Sequence, residues 1–167
     1  PEDVLEVRAN VRSTNPRALL LEAASPLFVD DSAVLRGKRV LAVEDGPTLT
    51  HGEMSYGAAT IAARKAGAAE LVDPRPFAVG EIEETFRRYP GIGALLPAMG
   101  YGEDQIRDLE KTIQRAAKGG VETVAIGTPI DLQRLVRIPI PSTRVRYELQ
   151  ILGKPDLRDV LGPLLRR

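Results

Sequence analysis

No cysteine occurs in this 167-residue chain, so neither a disulfide nor a thiolate metal site can form. A single histidine excludes a histidine-rich metal centre as well. No apolar run approaches the roughly 18–20 residues of a membrane-spanning helix, and nothing at the start resembles a signal peptide. A cytoplasmic location, with no membrane partner, is therefore the expectation. Neither sign of charge is in excess, with 23 basic and 23 acidic residues. That balance argues against nucleic acid or any other partner held by bulk positive charge, while leaving room for a local basic pocket. Familiar nucleotide motifs are missing too. There is no GxxxxGK followed by Ser or Thr. "GIGALL" (91–96) has Leu96 where a dinucleotide fingerprint needs its third glycine, and it precedes a strand instead of following one. No Ser or Cys sits in a nucleophile elbow.

What is present is the composition of an ordinary globular protein, 43% apolar and 28% charged. A chain of this size buries roughly 70% of its extended surface on folding and needs no staple. Residues 2–12 carry Val4, Val7 and Val11 at helical spacing, with Glu2 and Asp3 in the first turn where the helix dipole favours them. The chain opens on Pro1 with a helix that reads as already under way, so the expectation is a fragment, or a chain whose beginning is missing. "ALLLEA" (18–23) reads as a short buried strand, and the stretch from Ala24 to Lys38 as a connection without period.

After Lys38 a regular alternation begins. "RVLAVE" (39–44), "AELVD" (69–73), "IGALLPA" (92–98) and "VETVAIG" (121–127) read as strands. Helices fall at 53–66, 79–88 and 103–118, the last ended by Gly119-Gly120. "PIDLQRLV" gives a helical turn or two, "TRVRYEL" alternates as an edge strand would, and "KPDLRDVLGPLL" reads as a closing amphipathic helix. The fold class is α/β: an open, Rossmann-like, mostly parallel sheet of about five strands with helices on both faces.

In such a sheet, ligands bind beyond the carboxyl ends of the strands. The segments there are "EDGPTLTHGE", "DPRPFAVG", "PAMGYGED" and "GTPIDLQR", each rich in Gly or Pro and polar groups. Tight turns need Gly and Pro in any case, so this asymmetry also has a plain structural explanation. The candidate site comprises Asp45, Gly46, Thr48, Thr50, His51 and Gly52, joined by Arg75, Thr128 and Asp131 from neighbouring strand ends. Gly46 and Gly52 would let backbone approach an anion at a helix N-terminus, and Thr48 and Thr50 would donate hydroxyls. His51, the catalytic candidate, would add a charge-assisted hydrogen bond or donate a proton to a departing phosphate oxygen. Arg75, held between two prolines, would reach the same anion. The competing explanation makes Thr50 a simple helix cap and leaves His51 in solvent.

"VEDGPTLTHGEMSYGA", "VDPRPFAVGEIEETFRRYPGIGALLPAMGYG", "IGTPIDLQRLVRI" and "RVRYEL" together resemble, in order, the C-terminal portion of cyclic 2,3-diphosphoglycerate synthetase and its relatives among the predicted P-loop GTPases. The resemblance implies a division at residue 35. Residues 1–35 would be the helix-strand end of a P-loop NTPase core, and 36–167 an appended C-terminal α/β domain. Ala24, Ser25 and Pro26 would then stand where a loop touches the nucleotide base. It further implies an NTP-dependent enzyme, a ligase, that uses ATP or GTP with Mg2+ on a small phosphorylated substrate. The phosphate loop would lie in an N-terminal region not represented here, and the protein would form a homodimer. Two other possibilities remain: a non-catalytic lid or dimerisation module, and a free-standing small-anion-binding domain.

One expectation concerns turnover. A chain without a phosphate loop lacks the backbone cradle, the lysine and the Mg-bound hydroxyl that phosphoryl transfer uses. The purified 167-residue chain should release no phosphate from ATP or GTP above background in a continuous phosphate assay.

Overall fold

The run Val40-Leu41-Ala42-Val43 is wholly buried. Successive strand residues point to opposite faces, so such a run requires a sheet covered on both sides. The structure, a computed structural model, describes residues 2–51 and 54–165, the side chains of Thr48 and His51 excepted. Its first elements are helix α1 (Glu2–Thr14) and strands β1 (Ala23–Ala24), β2 (Leu27–Val29) and β3 (Arg39–Asp45). Helices α2 (Gly46–His51) and α3 (Ala58–Lys65), strand β4 (Glu70–Leu71) and helix α4 (Gly80–Arg88) follow. Next come strand β5 (Leu96–Ala98), helix α5 (Glu103–Lys118) and strands β6 (Thr123–Ile126), β7 (Ser142–Tyr147) and β8 (Gln150–Ile151). Helix α6 (Leu157–Leu165) is last.

Two compact units emerge, residues 27–147 and the smaller set 1–26 with 148–167. In the larger unit the sheet order is β2-β7-β6-β3-β4, with β5 also paired to β3. Strands β4 and β5 share one edge of β3, β4 at Arg39–Val40 and β5 at Val43–Asp45. Every pairing among β3, β4, β5, β6 and β7 is parallel, which gives the five-stranded parallel sheet expected from residue 39 onward. Only β2 is antiparallel, on the outer side of β7.

Helix α3 packs across β2, β7, β6, β3 and β4, covering one face over its full width. Its buried Ala59, Ala62 and Ala63 allow that close approach. Helices α4 and α5 pack on one another, and their buried stripes (Ile82 and Phe86; Leu109, Ile113 and Ala116) belong to the same apolar core. Asp108 of α5 accepts the amide of Glu81 at 3.0 Å and so caps the start of α4. Gly80, at φ +55°, leaves the room that this carboxylate needs.

Four sequence expectations change. "ALLLEA" is not a short buried strand: none of its residues is buried, and only Ala23, with Ala24, pairs against Gln150–Ile151 in a separate antiparallel ribbon. The supposed connection contains β2 and a 3₁₀ turn at Ala33–Leu35 whose Leu35 is fully buried. Strand β7 is interior, between β6 and β2; its alternation reflects packing of Thr143 and Val145 on one side, not an edge position. The helix expected at 53–66 begins at Ala58, as α3, and the expected turn before it holds a separate short helix, α2, that begins directly at the end of β3. No helix among the described residues is long and apolar enough to cross a membrane.

The smaller unit holds α1, the β1–β8 ribbon and α6. None of its described residues is buried.

Candidate functional site

Because β3, β5 and β6 run parallel, their carboxyl ends share one rim. The residue that organises it is Glu44, the penultimate residue of β3, whose side chain is 3% exposed. Alternation along β3 puts Glu44 on the same face as Val40 and Ala42, toward α3. There the Thr60 amide donates to Glu44 Oε1 at 2.9 Å. The amides of Ala59 and Ala58 also stabilise the carboxylate. The α3 N-terminus, a natural anion seat, is thus filled by the protein's own carboxylate.

Two glycines make the seat. A Cβ at Gly57 would lie 2.5 Å from Glu44 Oε2, and one at Gly127 would stand 2.9 Å from the Ala59 nitrogen while running into the same carboxylate. Thr60 closes the turn: its hydroxyl donates to the Gly57 carbonyl at 2.7 Å and accepts from the Gly57 amide at 2.8 Å. Burial pushes the Glu44 carboxyl above its ordinary range, and the amides and Thr60 hydroxyl oppose the shift without cancelling it.

Beside this seat lies a cleft of about 180 Å³, lined by Glu44, Asp45, Met54, Tyr56, Gly127 and Tyr147 among others. It therefore presents a buried and a partly exposed carboxylate together with two aromatic rings. Leu49 and Met54 also line a larger, mostly apolar cleft of about 320 Å³. Its far wall is Arg88 to Ile92, with the Arg88 guanidinium 5.6 Å from the Tyr89 ring centroid.

A second polar group occupies the same rim. The Tyr101 hydroxyl is buried without a hydrogen-bond partner. Burial, then the charge of Asp45, raises its pKa; Thr128 lowers it, though the Thr128 hydroxyl is itself committed to the Ile130 carbonyl at 2.8 Å. Asp131 Oδ2 faces Arg134 Nε at 3.2 Å and Arg144 at 3.8 Å. Asp131 Oδ1 and Arg144 Nε are buried and unpartnered.

The residues expected to form the site are only partly brought together. Asp45, Gly46, Thr128 and Asp131 reach the rim. The close approach that Gly46 permits is to β5: a Cβ there would lie 2.5 Å from Met99 Sδ and 2.8 Å from the Ala98 carbonyl oxygen. Thr50 is neither cap nor free donor, because its hydroxyl bonds back to the Gly46 and Pro47 carbonyls at 3.2 and 3.3 Å. Gly52, and the side chains of Thr48 and His51, lie outside the described residues.

Arg75, expected to reach the anion at the 46–52 turn, is engaged by other groups among the described residues. Its guanidinium grips both Asp73 oxygens at 3.0 and 3.1 Å, donates to the Pro90 and Ile92 carbonyls, and stacks 4.8 Å over Phe86. With those bonds made, it ties the loop after α4 to the end of β4. Ala24, Ser25 and Pro26 belong to the smaller unit. Among the described residues no three His, Asp or Glu side chains gather as a metal cluster.

Glu44, Gly127, Tyr101 and Arg144 escaped the sequence reading, and Gly57 was expected only to let the helix lie close to the sheet. The available signal was parity: an acid on the same strand face as Val40 and Ala42 is an acid pointed into a core.

No protein-family model matches this chain, and no solved structure does. The arginine synthetase ArcE of Thermococcus kodakarensis is 53% identical over 160 residues, 96% of this chain and 35% of that protein. The chain thus spans about a third of the length of the curated relative it matches. That relative is a synthetase, as the resemblance implied, but one named for arginine and not for a diphosphoglycerate.

A pH dependence follows from Glu44. A carboxyl raised in the folded state contributes stability below its unfolded value, ordinarily 4.5, and loses it as pH rises through the folded value. The melting-temperature difference between Glu44→Gln and the wild type should therefore shift in favour of the variant as pH rises from about 4.5. Any constant offset from the amide leaves that slope intact. Differential scanning calorimetry across pH checks it.

Proposed function

We propose that this chain is the part of a synthetase that holds the planar, positively charged end of a small substrate or product. The observation that supports the reading is the cleft where Glu44 and Asp45 meet Tyr56 and Tyr147. Carboxylates beside aromatic faces suit a guanidinium, which is flat, permanently charged and able to stack. Arginine carries that group, and the relative is named for arginine. The larger neighbouring cleft, lined mainly by apolar side chains, offers room for the remainder of a ligand.

Synthetases as a class couple bond formation to nucleotide cleavage, and ATP or GTP with Mg2+ is the matching expectation here. The phosphates do not fit the α3 N-terminus, because Glu44 fills it. They would be held by polypeptide beyond the matched third, where the diphosphoglycerate synthetase resemblance also puts its phosphate loop. A phosphorylated anion as the substrate held by this chain finds less support, since Arg75 is bound to Asp73 and the Pro90–Ile92 loop.

The roles follow from position. Asp45, at the mouth, would pair with the cation. Glu44 would act behind it as a buried acid of raised pKa, able to accept or return a proton. In an amide NMR titration, L-arginine should move residues 45, 57 and 127 saturably. Asp45→Asn should weaken that binding by about 1.5–3 kcal/mol, roughly 10- to 150-fold. Inorganic phosphate moving those amides while arginine leaves them still would reverse the assignment.

A further inference from the structure

The smaller unit has two helices and a ribbon but no buried residue among those described. A unit of that size without a core is not self-supporting, because isolated helices of about 12–15 residues are marginal in water. Yet its helices carry apolar stripes. On α1, Val4 and Val7, one turn apart, are 59% and 62% exposed. On α6, Leu157, Leu161 and Leu164 recur at helical spacing and are 39%, 44% and 63% exposed. Solvated helices do not ordinarily keep leucines and valines in register on one face, whereas docked helices do.

We propose that these two stripes are a docking surface for the remaining polypeptide of the synthetase, the part corresponding to the stretch of the relative that this chain does not match. Nearly two thirds of that relative lies outside the match. A second copy of the chain is the obvious competitor. The relative favours the first occupant: there the matched stretch is continuous with about twice its own length of further chain, held close by covalent connection. The inference is independent of the arginine assignment, since it concerns other residues and is read without substrate.

The absence of cysteine makes a clean probe possible. Val7→Cys and Leu161→Cys would be made singly, with Lys111→Cys on the exposed side of α5 as the control. Each is made both in the 167-residue chain and in the natural polypeptide that carries it. Maleimide labelling is followed by mass spectrometry of the peptide concerned. Labelling at positions 7 and 161 should be at least tenfold slower in the natural polypeptide than in the chain alone, with position 111 unchanged. Val4→Cys and Leu164→Cys serve if either first choice disturbs folding. Equal rates in the two forms would overturn the proposal. So would protection that appears in the isolated chain as its concentration rises, which would assign the surface to a second copy.

Discussion

A carboxylate buried against a helix N-terminus sets the geometry of the rim. Glu44 closes the end of the central strand, accepts from the first turn of α3, and is enclosed by Gly57 and Gly127. These contacts lock β3, β6 and α3 together at their shared end. The helix dipole and the aligned amides compensate part of what burial costs the charge, and the residual cost appears as a raised pKa. No side chain larger than hydrogen fits at either glycine without moving the carboxylate or the helix.

That arrangement changes what the rim can bind. An open helix N-terminus attracts phosphate, whereas one already occupied by a glutamate has its first amides engaged. Asp45 brings a second carboxylate to the cleft, and the Tyr101 hydroxyl, buried and lacking a hydrogen-bond partner, has its pKa raised partly by that same charge. Arg75 is bonded to Asp73 and two carbonyls, and Arg144 to Asp131 and the Pro129 carbonyl. The cationic ligand proposed above would complement the Glu44 and Asp45 carboxylates.

The sequence made the sheet legible because each parallel strand is a short apolar run between recognisable helices, as in "RVLAVE" and "VETVAIG". The span of α5 follows from its stripe and its glycine stop. Strand β2 was hidden because three residues cannot display a period, and its existence depends on β7 beside it. The site was only half legible. Position at the strand ends identified Asp45, Gly46, Thr128 and Asp131, since topology alone puts them there. What each side chain does there depends on partners distant in sequence. Arg75 finds Ile92, and Glu44 finds Thr60 and Gly127, through the folded chain and not through spacing. The glycines of the seat went unrecognised for the same reason.

The account turns on the state of the Glu44 carboxyl. Carbon-detected NMR of the side-chain carboxyls, titrated with pH, measures it directly. The Glu44 resonance should titrate above the exposed glutamates, and the Thr60 amide proton should follow it with the same midpoint, because the two share a hydrogen bond. A Glu44 midpoint at or below those of the exposed glutamates, or a Thr60 amide indifferent to it, would contradict the buried seat.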